Sequence, residues 1–411
     1  MKNQRDSPRE IVIETEPVWA RPETFPRKPD GGRLGYISKG PELNEVGSRE
    51  ELIQAVSGEK GRVAILVWTE ESDYCVPPEE VTWLQSAVLG ANQRHAESEY
   101  KSASSTSLLI GAFAAFALLS AWRATGSLLA AFQDQNVVVA GLILTMFGLL
   151  PLYNAWKSKR QFSGMAAGDI STVVPEARFD IWIGSQRAPA TRAAVALMVI
   201  AGVAQVLAWF RGGDVMSTVQ AAGLFKQQVL AGEWWRYMTA PFLHGNPVHW
   251  FFNASALWYL GRRTEVLARW PHVPIILLIS GFAGGLLSVA MVSFYPQPSV
   301  GASGAIVGLL GFLLVFETTH KPLVPRSSRR RLLAVVGGLV VIGIVGVQLI
   351  DNAAHAGGLL AGMVYSWIVF PGSKSPERPL ATRSDLIAAG VCGAVILIAF
   401  FFTLIRLRSV T

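Results

Sequence analysis

The chain is poor in charge. Lys, Arg, Asp and Glu make up 16% of its 411 residues, against about 25% in an ordinary soluble protein. It has two cysteines, Cys75 and Cys392. That number implies neither a disulfide framework nor a cysteine-based metal site, and no motif calls for a metal or cofactor. Residues Met1 to Glu16 are charged and lack an apolar h-region, so no cleavable signal peptide is expected. The apolar stretches beyond residue 190 carry almost no acidic residues and show no internal repeat. Transporters and channels tend to have paired intramembrane charges or repeats, so that class is disfavoured.

What is present is apolar residue in runs. Hydrophobic residues are 51% of the chain, gathered in stretches near the roughly 20 residues that cross a bilayer. Nine spans are predicted, at about 105–122, 136–154, 191–210, 248–262, 273–294, 301–318, 332–350, 353–370 and 385–405. The net charge of +7 is basic. Its Lys and Arg sit in short loops between the runs, a pattern that orients membrane helices and does not call for nucleic acid. Lys157, Lys159, Arg160, Arg178, Arg187 and Arg192 lie between the second and third spans. Arg262, Arg263 and Arg269 follow the fourth, and Lys321, Arg326 and Arg329 to Arg331 follow the sixth. These loops share one side, so the N-terminus is predicted cytoplasmic and the C-terminus external. Arg406 and Arg408 oppose this weakly.

The first hundred residues read differently. Residues 1–45 are rich in Pro, Gly and charge, with a short strand at Ile11–Ile13. Ser48 and Glu51 form a capping-box pattern opening a helix through Ala55. Arg62–Thr69 is an apolar, β-branched run that reads as a buried strand, and Pro78 to about Tyr100 as a helix able to run on into the membrane. The predicted organisation is a cytosolic segment over 1–103, two transmembrane helices over 104–155, a cytosolic linker over 156–190, a helical core over 191–371 and one more helix at 385–405. The long loop at 211–247 holds Trp234, Trp235, Arg236 and Tyr237, residues suited to the headgroup boundary.

Three polar clusters interrupt the apolar core, and polar residues there are costly. His244, His249 and Asn253 lie in TAPFLHGNPVHWFFN. His249 and Asn253 are four apart and share a helical face; by themselves they are equally well helix caps or partners of a neighbouring helix. Gly301-Ala302-Ser303-Gly304 opens the sixth span. Glycines there permit close backbone approach, and a helix start offers free N–H groups, though Gly and Ser are also common packing residues. His355 lies just inside the eighth span in IDNAAHAGGLLAG. Alone it is a packing histidine, a proton relay or a base. Gly358 and Gly362 give its helix a close-packing face, and packing on the Gly304/Gly308/Gly311 face would bring His355 beside Ser303. Together these residues suit acyl transfer: Ser303 as nucleophile, His355 as general base, and His249, Asn253 and the Ser303 N–H around an oxyanion. Asp351, one turn before His355, is the nearest acidic residue, but a Ser–His dyad is the expected arrangement.

The motifs GEWWRY, FLHGNPVHWFFN, NASALWYLGRR, GASGAIVGLLG and IDNAAHAGGLLAG, in this order, resemble the rhomboid intramembrane serine proteases. The resemblance covers about residues 190–371. It implies a six-helix core; with the apolar runs and the pattern of the first hundred residues, the expected fold is an all-α polytopic membrane protein, that core carrying extra N-terminal and C-terminal transmembrane helices and a small soluble N-terminal α/β segment. It implies a site open to the external side, with Ser303 as nucleophile, His355 as base, and His249 and Asn253 as oxyanion side chains. Gly301, Gly304, His244 and the Trp235-Arg236 pair are implied to be structural. Substrates would be membrane-anchored proteins cut in or near a transmembrane helix. A rhomboid-like protein that binds membrane proteins without cutting them is the alternative, and such proteins usually lack the Ser or the His. Many members carry an aromatic residue four after the nucleophile; here it is Val307.

Overall fold

A computed structural model describes residues 16–38, 42–58 and 65–410. The strand expected at Ile11–Ile13 and the start of the one expected at Arg62 lie outside those residues. Strands β1 (Gly35–Ile37), β2 (Leu43–Glu45) and β3 (Leu66–Trp68) form an antiparallel sheet in the order β2-β1-β3. Helix α1 (Arg49–Ser57) packs beside it. Ser48 caps α1 by accepting the Glu51 N–H at 3.2 Å, while the Glu51 carboxylate reaches the N–H of Gly47 at 2.9 Å. The reciprocal half of the capping box has thus moved one residue upstream.

Helix α2 (Gln85–Thr125) starts later than the helix expected from Pro78 and runs on into the membrane as one piece with the first predicted span. No proline interrupts it, so a single helix about 60 Å long runs from the sheet through a bilayer thickness. It ends on Gly126, whose φ of 68° is left-handed and whose N–H caps Trp122. A short helix α3 (Leu128–Gln133) precedes α4 (Gln135–Ile143), a π turn (Leu144–Leu149) and α5 (Leu150–Ser163). These pack back on α2 as a hairpin. The stretch predicted as a linker holds α6 (Val174–Ser185), because Phe179 and Trp182 have an apolar surface to cover. Phe179 lies edge-on to Trp19 at 5.7 Å, and Arg178 pairs with Glu80 at 2.5 Å, tying the sheet region to the bundle.

The bundle comprises α7 (Pro189–Phe210); a loop with α8 (Val215–Ala222), α9 (Lys226–Leu230) and α10 (Arg236–Thr239); then α11 (Pro247–Ala268), α12 (His272–Ala290), α13 (Ser303–Thr319), α14 (Arg326–Val345), α15 (Asn352–Val369) and α16 (Arg383–Arg408). The chain is a polytopic helical membrane protein. Among the described residues five helices are long and apolar enough to cross a membrane, and they match the first, second, third, fifth and ninth predicted spans. Helix α13 is apolar but 17 residues long. Helices α11, α14 and α15 fall below that apolarity because of His249, Asn253, the Arg326–Arg331 run, Asn352 and His355.

Helices α12, α13 and α15 meet through glycine. A methyl group on Gly358 would lie 2.0 Å from the Gly304 carbonyl oxygen, and one on Gly362 1.9 Å from that of Gly308. A methyl on Gly284 would lie 2.6 Å from the Ala354 carbonyl oxygen. With no hydrophobic drive between helices in lipid, this close backbone packing is what holds them. At the end of the bundle with the basic loops, Arg263 and Glu317 are buried and paired at 2.6 Å, with the Ser328 hydroxyl bonded to both. A buried charge needs such partners.

Candidate active site

Ser303 is the first residue of α13 and His355 the fourth of α15. The glycine contacts set the distance between these helices, and His355 Nε2 lies 2.8 Å from Ser303 Oγ. In a neutral ring protonated at Nδ1, Nε2 accepts the hydroxyl proton, which is the geometry a general base requires. Among the described residues His355 Nδ1 has no hydrogen-bond partner.

Asp351 does not reach that nitrogen. It is the N-cap of α15, accepting the Ala354 N–H at 2.9 Å. The hydroxyls of Ser288 and Ser299 also donate to it, and Lys226 Nζ lies 3.8 Å away. Burial pushes the Lys226 ammonium below its ordinary pKa, and Asp351 opposes part of that. The carboxylate therefore fastens the start of α15 to the end of α12 and to α9. Sequence reading missed Lys226, Ser288 and Ser299, since they are far apart in the chain and none repeats at a helical spacing with Asp351.

Gly301 has φ of 114°, a conformation L side chains rarely adopt. A methyl there would lie 2.7 Å from His249 Cε1 and 3.5 Å from Asn253 Nδ2. The turn before Ser303 thus lies against both side chains named for the oxyanion. Asn253 Nδ2 is buried and unpartnered among the described residues, a donor left over beside the turn that leads into Ser303. His249 takes its position from the helix start: its N–H bonds the Asn246 side chain at 2.8 Å, and Pro247 fills the first turn.

The loop before α11 supports this arrangement. The Gly301 N–H donates to the Ala240 carbonyl at 3.0 Å. Arg236 is buried, donating to Glu233 at 2.5 Å and to the Gly223 carbonyl at 2.8 Å, beside the Trp235 ring at 4.5 Å. His244 is buried and edge-on to His249 at 5.2 Å. Its backbone exchanges two hydrogen bonds with the Gln205 amide of α7, at 3.0 and 2.9 Å. Gln205 went unread in the sequence, although a lone amide inside an apolar span was its signal. Val307 is buried in α13, and among the described residues no aromatic ring packs on His355.

Fold and site describe a polytopic helical membrane protein with a serine and a histidine joined at the head of two glycine-packed helices. Residues 231–372 match the family model of the rhomboid domain. The chain is similar to the rhomboid protease GluP of Bacillus subtilis (strain 168), 36% identical over 171 residues, which are 38% of this chain and 32% of that protein. It is similar to RHOMBOID-like protein 6, mitochondrial, of Arabidopsis thaliana, 34% identical over 163 residues covering 38% and 51%. It is also similar to inactive rhomboid protein 2 of Homo sapiens, 29% identical over 178 residues covering 41% and 20%. The chain therefore spans about half or less of the length of these relatives.

Proposed function

We propose that this protein is an intramembrane serine endopeptidase that cuts membrane-anchored proteins. The observation that carries the reading is the 2.8 Å contact between Ser303 Oγ and His355 Nε2. In the proposed reaction Ser303 attacks the scissile carbonyl as its proton passes to His355 Nε2. The oxyanion is stabilised by the free N–H groups at the start of α13 with Asn253 and His249. His355 then returns the proton to the leaving amine, and water releases the acyl group from Ser303. By the basic-loop rule the site opens to the external side and the N-terminus is cytoplasmic.

The test is cleavage of a model single-span substrate in proteoliposomes, comparing wild type with Ser303→Ala and His355→Ala. Removal of either group should lower the rate by roughly three orders of magnitude or more while the protein stays folded. Equal cleavage by Ser303→Ala refutes the dyad. A wild type that binds such substrates but cuts none would support the non-cleaving class that one similar protein represents.

A further inference from the structure

We propose that Lys226 is a positioning residue of the reaction: with Asp351 as its counter-ion it holds both the turn that leads into Ser303 and the helix end that carries His355. This role rests on the protease reading and adds what fixes the dyad from the side of the loop.

Lys226 opens α9, and its side chain is fully enclosed, 0% exposed. A lysine is almost never buried so completely without a partner. An apolar side chain of the same volume would fill the space without the cost of taking a charge out of water, so packing alone does not account for the ammonium. Its partners do. Nζ donates to the Tyr295 carbonyl at 2.5 Å, lies 4.1 Å from the centre of the Tyr295 ring and is 3.8 Å from Asp351 Oδ2. The same carboxylate oxygen accepts the hydroxyls of Ser288 and Ser299, while Oδ1 accepts the Ala354 N–H. Each of these contacts offers a proton to the carboxylate, which as an acceptor-only group takes them all.

Two segments meet at this ion pair. Residues 295–302, between α12 and α13, form no helix or strand. Their backbone is held by Leu224, which exchanges two hydrogen bonds with Ser299 at 2.9 and 3.1 Å, and by Ala240, which accepts the Gly301 N–H. Lys226 grips the start of this stretch at Tyr295 and, through Asp351 and the Ser299 hydroxyl, its middle. Gly301 follows two residues after Ser299, against His249 and Asn253, and Ser303 two residues later. On the other side Asp351 caps α15 one turn before His355. The glycine contacts of α13 with α15 involve Gly304 and residues beyond it, so they space the two helices without holding the turn ahead of Ser303. The Lys226–Asp351 pair holds that turn and the head of α15 together. A displacement of about 1 Å at the reacting groups costs roughly a hundredfold in rate.

The test compares wild type with Lys226→Met, Ser299→Ala and the double variant Lys226→Met/Asp351→Asn, each as the full chain in proteoliposomes. Cleavage of the single-span substrate gives kcat and KM, labelling of Ser303 by a small fluorophosphonate reports the dyad without a substrate helix, and thermal unfolding reports the fold. Lys226→Met leaves Asp351 without its counter-ion and should lower both stability and kcat. The double variant has no unpaired charge and Asn still caps α15, so its stability should return toward wild type. Its kcat and labelling rate should stay about ten- to a hundredfold down, with KM within about twofold, because the turn is still unheld. Ser299→Ala cuts only the link to the turn and should lower kcat about three- to tenfold. A merely structural ion pair would let activity return with stability in the double variant, and that result overturns the positioning role; so does a KM that rises with kcat unchanged. Where the double variant does not fold, Ser299→Ala decides: kcat within about threefold of wild type overturns the role. A wild type that neither labels nor cleaves refutes the protease reading instead.

Discussion

Gly358→Ala tests whether helix packing sets the dyad. The added methyl would lie 2.0 Å from the Gly304 carbonyl oxygen and 2.8 Å from its carbonyl carbon, about 1.5 Å short of van der Waals contact. Both neighbours are backbone, so no side chain can rotate away. Helices α13 and α15 must separate, and they do so one residue after Ser303 and three after His355. A shift of that size stretches the 2.8 Å contact beyond the roughly 3.5 Å at which a hydrogen bond is lost. The proposed base then fails, at a cost of about 10²- to 10⁴-fold in rate. The strain of overpacking costs about 1–3 kcal/mol of stability. The assay is single-turnover cleavage and fluorophosphonate labelling in proteoliposomes, with thermal unfolding as the fold check. Gly390→Ala and Gly393→Ala are the controls, because nothing lies within 4 Å of a methyl at either position. A folded Gly358→Ala protein cutting within about threefold of wild type, less than 1 kcal/mol of barrier, refutes the reasoning.

Asp351→Ala removes the cap of α15 and leaves the buried Lys226, which keeps its bond to the Tyr295 carbonyl, without its counter-ion; stability to thermal unfolding should fall by about 1–3 kcal/mol, whereas Asp351→Asn, which still caps, loses less. Glu317→Leu leaves Arg263 buried and unpaired, costing about 3–5 kcal/mol, and adding Arg263→Met should recover part of it; a double variant less stable than either single one contradicts this. Cleavage should rise from pH 5 to pH 8, because His355 acts as a base only when neutral, and a flat profile with chemistry rate-limiting counts against that role. Burial pushes the Cys75 thiol up to about 11, so the folded protein holds it as unreactive thiol at pH 8, and maleimide should label it at an ordinary rate only after unfolding.

The order of apolar runs and basic loops determined by itself that the chain is a polytopic helical membrane protein, because transfer of about 20 apolar residues is a local property. The local motifs named Ser303, His355, His249, Asn253 and Gly301, since a polar residue is conspicuous where it is costly. Boundaries were less legible. The helix expected from Pro78 begins only at Gln85 and runs unbroken to Thr125; its composition changes along the way while nothing in the backbone breaks it. The stretch predicted as a linker became α6 once Phe179 and Trp182 had a partner surface. What only the tertiary structure decided is which distant groups meet. The closeness of Ser303 to His355 depends on glycines of two helices separated by α14. Asp351 turned toward Ser288, Ser299 and Lys226, and Gln205 found the backbone of His244. The seating of α4 and α5 on α2 is of the same kind: dispersion contacts between apolar faces leave no motif, since any apolar residue of fitting shape can make them.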